Sequence, residues 1–284
     1  MKIDTAAVEK IIKEVAATEI MPRFKNLVAG DIETKADKSS VTVADKAAEA
    51  ALIVSLTAAF PGSVVVGEES FAKDPLILSH FGGEEDVWVI DPIDGTRNFI
   101  SGNPEFAVMI ALMRRKQTIG AWIHDPNSGD TLMAELGGGV WLRNHKMRLA
   151  GQDPTVPTIG LAGWQLRKFL ARPEIAATIP GFPPLEPSSA AAFDYARLFT
   201  GDELFAKSLF PRASFLVTYR HAMPWDHLSG LMMLNEAGGY SADWSGQPYV
   251  AETPNKGLMS TADRPTWDRL HALLKAPFMS PDVP

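Results

Sequence analysis

Carboxylates are placed in this chain where they could do chemistry. Glu68 and Glu69 follow the run Val64-Val65-Val66, and Asp91 and Asp94 flank the end of Val87-Trp88-Val89-Ile90. Both runs are short, β-branched or aromatic, and break straight into a polar turn, so they read as strands that deliver acids at their ends. Strand ends in layered α/β folds are where polar groups converge without disturbing the hydrogen-bonded ladder. Pro92 restricts the backbone between the two aspartates and Gly95 frees it just beyond, which makes a tight loop able to aim two carboxylates and a carbonyl at one point. Hard oxygen donors of this kind suit Mg²⁺ rather than zinc or copper. Pro-Ile-Asp-Gly also reads as a simple turn, but a turn gives no reason for two acids to leave an apolar strand beside Ile93. Asp226, in Met-Pro-Trp-Asp-His, opens the last long helical stretch and is either a helix cap or a further ligand. Asp45, in Val-Thr-Val-Ala-Asp, likewise starts or caps a helix. Thr96 begins a short helical stretch over Thr96–Ile100 whose first N–H groups would face an anion.

Much other chemistry is excluded by inspection. With no cysteine, disulfides, thiolate zinc sites, iron–sulfur clusters and a cysteine nucleophile are impossible. The six histidines, at 80, 124, 145, 221, 227 and 271, lack ligand spacing. No G-x-x-x-x-G-K-[ST] loop, G-x-G-x-x-G, H-E-x-x-H or G-x-S-x-G elbow occurs. An aspartyl-phosphate mechanism uses D-x-D at a strand end. The spacing here is D-P-I-D, one residue longer, so the second acid would miss the acid/base position.

The elements that must position these acids alternate between helix and strand. Val8, Ile11, Ile12, Val15 and Ile20 recur every three or four residues, which predicts an amphipathic helix capped by Asp4 or Thr5 and disturbed by Pro22. A second helix is predicted from about Ala44 to Phe60, ending at Pro61-Gly62. Phe106–Leu112, Thr118–Ile123 and Thr131–Leu142 read as strands, the last a pair interrupted by Gly137-Gly138-Gly139. Ala150–Pro157 reads as a seam between two halves, and residues 172–190 as mainly loop. Helical signal resumes at Ala190–Phe199 and Trp225–Ala237, with Gly238-Gly239 as the closing cap. The class is α+β or layered α/β. The length of 284 residues suits a single domain over 1–284, with subdomains of about 1–149 and 150–284.

Four segments occur together in order: Ser40-Val-Thr-Val-Ala-Asp45, Gly67-Glu-Glu-Ser70, Trp88-Val-Ile-Asp-Pro-Ile-Asp-Gly-Thr96, and Pro224-Trp-Asp226 with Asn235-Glu-Ala-Gly-Gly239. The set closely resembles the inositol monophosphatase family of magnesium-dependent, lithium-sensitive sugar-phosphate phosphatases, across roughly residues 35–262. The resemblance implies a five-layered αβαβα sandwich of the inositol monophosphatase / fructose-1,6-bisphosphatase type, a homodimer, and two or three Mg²⁺ ions. Glu68, Asp91 and the carbonyl of Ile93 would hold the first ion. Asp91, Asp94 and Asp226 would hold the second, and Glu68 would reach a looser third through water. Thr96, hydrogen-bonded to Asp45, would orient the water for in-line attack, making Thr96, Asp45 and Glu68 the catalytic set. Gly95 and Thr96 N–H groups would hold the phosphate, and Glu69 would stand behind the ligands.

The same resemblance puts Asp94, Asp226, Ala191, Tyr219 and Arg220 around the substrate. Inositol-specific members carry a glutamate seven residues before the aspartate of the Trp-Asp pair, where this chain has Tyr219. It also has extra residues between Gly201 and Asp226, so Tyr219-Arg220-His221 would line the pocket and Arg220 would be either a second anion site or a surface residue. Inositol monophosphate is the first substrate by family; histidinol phosphate, fructose 1,6-bisphosphate and a 3′-phosphoadenosine nucleotide stay open. A catalytically silent binding or regulatory member is the reading from another class.

The charge balance is consistent with this. With 27 Lys+Arg against 34 Asp+Glu the net charge is −7, which argues against a partner bound by neutralising nucleic-acid phosphates. Five of those 34 acids fall in the proposed site, so an anionic substrate would depend on the metal. The apolar stretch 50–60 is too short for a membrane span and no leader pattern opens the chain, so a cytoplasmic protein without a membrane partner is expected.

Overall fold

The computed structural model describes residues 3–36, 38–150, 160–162, 173, 188–199, 213, 215–218, 222–254 and 257–278. The chain opens with α1 (Thr5–Val15), whose N-terminus is capped by Asp4 accepting from the Ala7 N–H at 3.0 Å. Val8, Ile12 and Val15 form its buried stripe. A π turn over Ala16–Ile20 ends just before Pro22, which has no N–H with which to continue it. The hairpin β1 (Ile32–Thr34) and β2 (Ser40–Thr42) leads into α2 (Val43–Ala59). Next come β3 (Val64–Gly67), α3 (Glu68–Lys73), β4 (Asp86–Asp94) and α4 (Thr96–Ser101). An antiparallel run follows: β5 (Ala107–Arg114), β6 (Gln117–Asp125), β7 (Asp130–Glu135), β8 (Gly139–Leu142) and β9 (His145–Lys146). The second half contributes β10 (Gly160–Ala162), α5 (Ala191–Ala196), β11 (Phe215–Thr218), α6 (Pro224–Glu236), β12 (Tyr240–Asp243), β13 (Leu258–Thr261) and α7 (Arg264–Phe278).

Strands β3 to β9 form a seven-stranded sheet in sequence order, and β10-β11-β13-β12 form a four-stranded one. The buried side chains sort into five layers. One face of the large sheet, through Trp88, Ile90, Val108, Ile110 and Trp122, packs on the outer layer of α1 and α2. Its other face, through Met109, Ile123 and Leu132, packs on α5 and α6, which are covered from beyond by Leu216 and Leu258 of the small sheet. Phe215, Val217 and Met259, alternating with those residues, point the other way onto Trp267, Leu270 and Leu274 of α7. The result is the αβαβα sandwich.

Two helices depart from the expected pattern, each because of its layer. In α6 every residue from Leu228 to Leu234 is buried, because the helix lies between two sheets and has no solvent face. It is not the last long helix either. α7 follows it, with a stripe of only Trp267, Leu270 and Leu274 among charged residues, too thin a signal to read without the sheet it covers.

Candidate active site

The pairing of β4 with β5 explains the D-P-I-D spacing. Asp91 lies opposite Met109 and Asp94 opposite Ala107, so three steps on β4 match two on β5 and one extra residue forms a bulge. In a regular strand, residues three apart point to opposite faces. The bulge restores Asp91 and Asp94 to the same face, shared with Met109 and Ala107 and turned toward α5 and α6. Ile90 and Ile93 drop together into the opposite core under α1 and α2.

Three acids from three elements meet on that face. β3 runs parallel to β4 with Gly67 opposite Ile90, so Glu68, the first residue of α3, emerges beside Asp91. Asp226 comes from the first turn of α6. Glu68, Asp91 and Asp226 each offer an oxygen, and the three lie within 4.8 Å of one another. Asp94 is fixed next to them: its two oxygens accept the Ala191 and Ala192 N–H groups at 3.0 and 2.7 Å, at the start of α5. Thr96 Oγ1 lies 3.1 Å from the Ile93 carbonyl and 3.1 Å from Asp45 Oδ1, so a single hydroxyl links the β4 loop to α2. Gly95 has φ +89°, and a Cβ there would stand 2.9 Å from both the Ala190 Cβ and the Glu105 carbonyl, so only glycine fits between the halves.

The sequence-derived residues fall into three groups. Glu68, Asp91 and Asp226 are brought together directly. Asp94 is joined to Ala191, and Thr96 to Ile93 and Asp45, by the contacts just given, with Gly95 between Asp94 and Thr96 in the chain, and the charges of Asp94 and Asp45 act on Asp91. Tyr219, Arg220 and His221 lie outside the described residues. Asp226 is not a helix cap; the N-cap of α6 is Met223, and the acid sits three positions further on. Asp45 does stand in the first turn of α2, as expected of a residue that starts it, but it is not the N-cap residue. Thr42 is, and Asp45 answers it by accepting the Thr42 N–H at 2.8 Å and its hydroxyl at 2.6 Å.

Other residues of the site were not foreseen. Lys35 places its Nζ 2.6 Å from Glu68 Oε1 and 2.7 Å from Glu69 Oε1, a contact across more than thirty residues that no local pattern announces. Buried Glu49 accepts the Glu69 N–H at 2.8 Å and the Ser70 hydroxyl at 2.6 Å, doing for α3 what its N-cap Gly67 cannot. A Cβ on Gly67 would collide with the Glu49 carboxylate, so a larger residue there would push that side chain from its contacts with Glu69 and Ser70. Glu49 was visible in principle, one helical turn after Asp45 in an apolar stretch. Asn98 donates to the carbonyls of Glu105 and Ser188 at 2.7 and 2.9 Å and holds α4 to the approach of α5.

Burial dominates the electrostatics. It pushes the Asp91 and Asp226 carboxyls well above the usual carboxylate range, with the Glu68 charge adding to the effect. Burial also raises Asp94 to about 7, against the pull of the Ala191 and Ala192 N–H groups. Asp45 goes to about 6 and Glu69 to about 7 for the same reason, although Thr42 and Lys35 respectively oppose it. Carboxylates crowded in this way repel one another, and a cation among them removes the conflict. An all-oxygen donor set with this excess of negative charge fits a hard divalent ion.

This geometry, a bulged D-P-I-D strand with a glutamate beside it and an aspartate from a facing helix inside an αβαβα sandwich, defines a phosphatase-type fold. A model of the inositol monophosphatase family matches residues 2–276, and the chain belongs to that family. It is 31% identical to the Nus factor SuhB of Salmonella typhimurium, over 81% of this chain and 82% of that one. To the inositol-1-monophosphatase of Mesorhizobium japonicum it is 30% identical, over 76% of each. Among solved structures, the Thermotoga maritima IMPase superposes with a TM-score of 0.74 at 24% identity, over 95% of each chain. Among the described residues no helix is long and apolar enough to cross a membrane.

Proposed function

We propose that this chain is a Mg²⁺-dependent phosphomonoesterase acting on a small sugar or polyol phosphate, with inositol monophosphate first among the candidates. The observation that carries the reading is the meeting of Glu68, Asp91 and Asp226 within 4.8 Å, beside a threonine hydroxyl already paired to a buried aspartate. Mg²⁺ held by Glu68, Asp91, the Ile93 carbonyl, Asp94 and Asp226 would supply Lewis-acid polarisation of the phosphoryl oxygens and a lowered pKa for water.

The chain's own residues do the rest. Thr96 and Asp45 fix the attacking water and receive its proton, Asp45 being the acceptor behind the hydroxyl. The Gly95 and Thr96 N–H groups hold the phosphoryl oxygens as water attacks in line. The water oxygen bonds to phosphorus, the bond to the polyol oxygen breaks, and that oxygen takes up a proton. Positioning and charge neutralisation supply the catalysis, so no covalent nucleophile is needed. Asp94, clamped by Ala191 and Ala192, keeps lone pairs for an ion and ties the metal site to the start of α5.

Further elements of the reading are a single domain over 1–284, a homodimer, two or three ions, a cytoplasmic location, and a substrate rim that includes Tyr219 and Arg220. Phosphate release from inositol monophosphate, histidinol phosphate, fructose 1,6-bisphosphate and a 3′-phosphoadenosine nucleotide, with Mg²⁺ and with or without Li⁺, tests it. Release from one or more, dependent on Mg²⁺ and inhibited by Li⁺, is expected. The similarity to a Nus factor favours a second reading, a member that acts by binding. Release from none of the four by protein that still binds Mg²⁺ would favour that reading over the first.

A further inference from the structure

Lys35 follows β1 in the turn of the β1–β2 hairpin, where its N–H donates to the Ser39 carbonyl at 2.8 Å and its carbonyl accepts the Lys38 N–H at 3.0 Å. Its backbone is therefore fixed, and its side chain, 12% exposed, reaches inward to Glu68 and Glu69 at 2.6 and 2.7 Å. Its charge also reaches Asp226, where it opposes the effect of burial. A long, flexible ammonium is strongly hydrated, and lysine is seldom this buried unless paired. Here the pairing is with the metal cluster itself, since Glu68 is one of its three acids.

We propose that Lys35 is the resident counter-ion of the metal-free site, and that a divalent cation loads by taking Glu68 from its ammonium. The inference rests on the reading of Glu68 as a metal ligand. It gives Glu69 a distinct job. Glu69 is outside the three-acid cluster yet holds the same ammonium, so Lys35 keeps one partner when it releases the other. The ammonium and the ion compete for the same carboxylate and repel each other, so Lys35 raises the concentration of cation needed to fill the site. It also keeps the empty site folded, because breaking a buried pair leaves its acids uncompensated.

The test measures Mg²⁺ binding by calorimetry and thermal unfolding in EDTA and in saturating Mg²⁺, on the full chain carrying Lys35→Gln or Lys35→Arg. Lys35→Gln is expected to unfold at lower temperature in EDTA and to match the wild type in saturating Mg²⁺. It should bind Mg²⁺ roughly tenfold more tightly, equivalent to about 1.4 kcal/mol. Lys35→Arg, which retains the charge, should stay within about twofold of the wild type. If Lys35→Gln does not fold in EDTA, chelator competition starting from the Mg²⁺-saturated protein reads the same affinity. Unchanged or weaker Mg²⁺ binding by folded Lys35→Gln overturns the proposal. A wild-type protein that binds no Mg²⁺ at all would instead overturn the ligand assignment on which it stands.

Discussion

Two helices of this protein, α2 and α6, carry an aspartate at the same place, three positions after the N-cap, and use it in opposite ways. In α2 the N-cap is Thr42, whose N–H and hydroxyl both bind Asp45, so the acid closes the helix end and has one oxygen left for Thr96. In α6 the N-cap is Met223, which has no side-chain acceptor, and Pro224 follows it, so the turn asks for less capping and, among the described residues, nothing local claims Asp226. Asp226 is turned instead to Glu68 and Asp91. The helix position is the same; the residue before the helix and the layer in which the helix lies decide whether the acid serves the backbone or the site. In the proposed function Asp45 would position and Asp226 would bind.

The largest effect that separates them is on cation binding. Losing a residue that orients a metal ligand costs about 10–100-fold, and losing a ligand should cost at least the upper end of that range. Asp226→Asn should therefore lower Mg²⁺-dependent phosphate release roughly a hundredfold or more and weaken Mg²⁺ binding in calorimetry. Asp45→Asn should lower release by about tenfold to a hundredfold with Mg²⁺ binding intact. Equal loss of Mg²⁺ binding in both would erase the distinction.

The pH dependence of stability sharpens it at an intermediate scale. Asp45, Glu69 and Asp94 are raised by burial from ordinary values of 3.8, 4.5 and 3.8 to about 6, 7 and 7. Between those limits the folded state binds more protons than the unfolded one, so the metal-free protein should lose stability as pH rises from about 4 to about 7. His124 and His227, kept neutral by burial and lowered to about 4, act the other way and lose stability as pH falls below their usual 6.5. They lie outside the ligand set, so the difference between unfolding curves in EDTA and in Mg²⁺ isolates the carboxylates. That difference should widen from pH 5 to pH 8; a constant difference would contradict the assignment. The smallest effect is Thr42→Ala, which removes the cap of α2 and should cost about 1 kcal/mol in urea unfolding, with the loss of activity confined to what Asp45 gives up.

Much of the site was legible along the chain. Glu68, Asp91, Asp94, Thr96 and Asp226 all sit at strand ends or first helical turns, where polar residues interrupt apolar runs and a reader can find them. The bulge was not legible. D-P-I-D read as an alternating strand sends its two acids to opposite faces, and only the register against Met109 and Ala107 shows that they share one. Lys35 was invisible for a different reason, since a lysine in a stretch that also holds Glu33, Asp37 and Lys38 looks like solvent-facing charge until a hairpin carries it to Glu68. The α7 helix failed for lack of a wide apolar stripe.

By itself the sequence determined the chemistry available: an oxygen-rich, cysteine-free set of acids at element ends, suited to a hard cation and a phosphate, in a chain of net charge −7. Those properties depend on residue type and on spacing within a few positions, which any segment carries with it. The tertiary structure decided which acids become partners. Glu68, Asp91 and Asp226 are separated by up to 158 positions, and their distances depend on a parallel strand pair, a one-residue bulge and a helix buried between two sheets. It also decided that Lys35 would answer them. Electrostatic coupling acts through space, so the sign and strength of the site's charge exist only once the layers have closed.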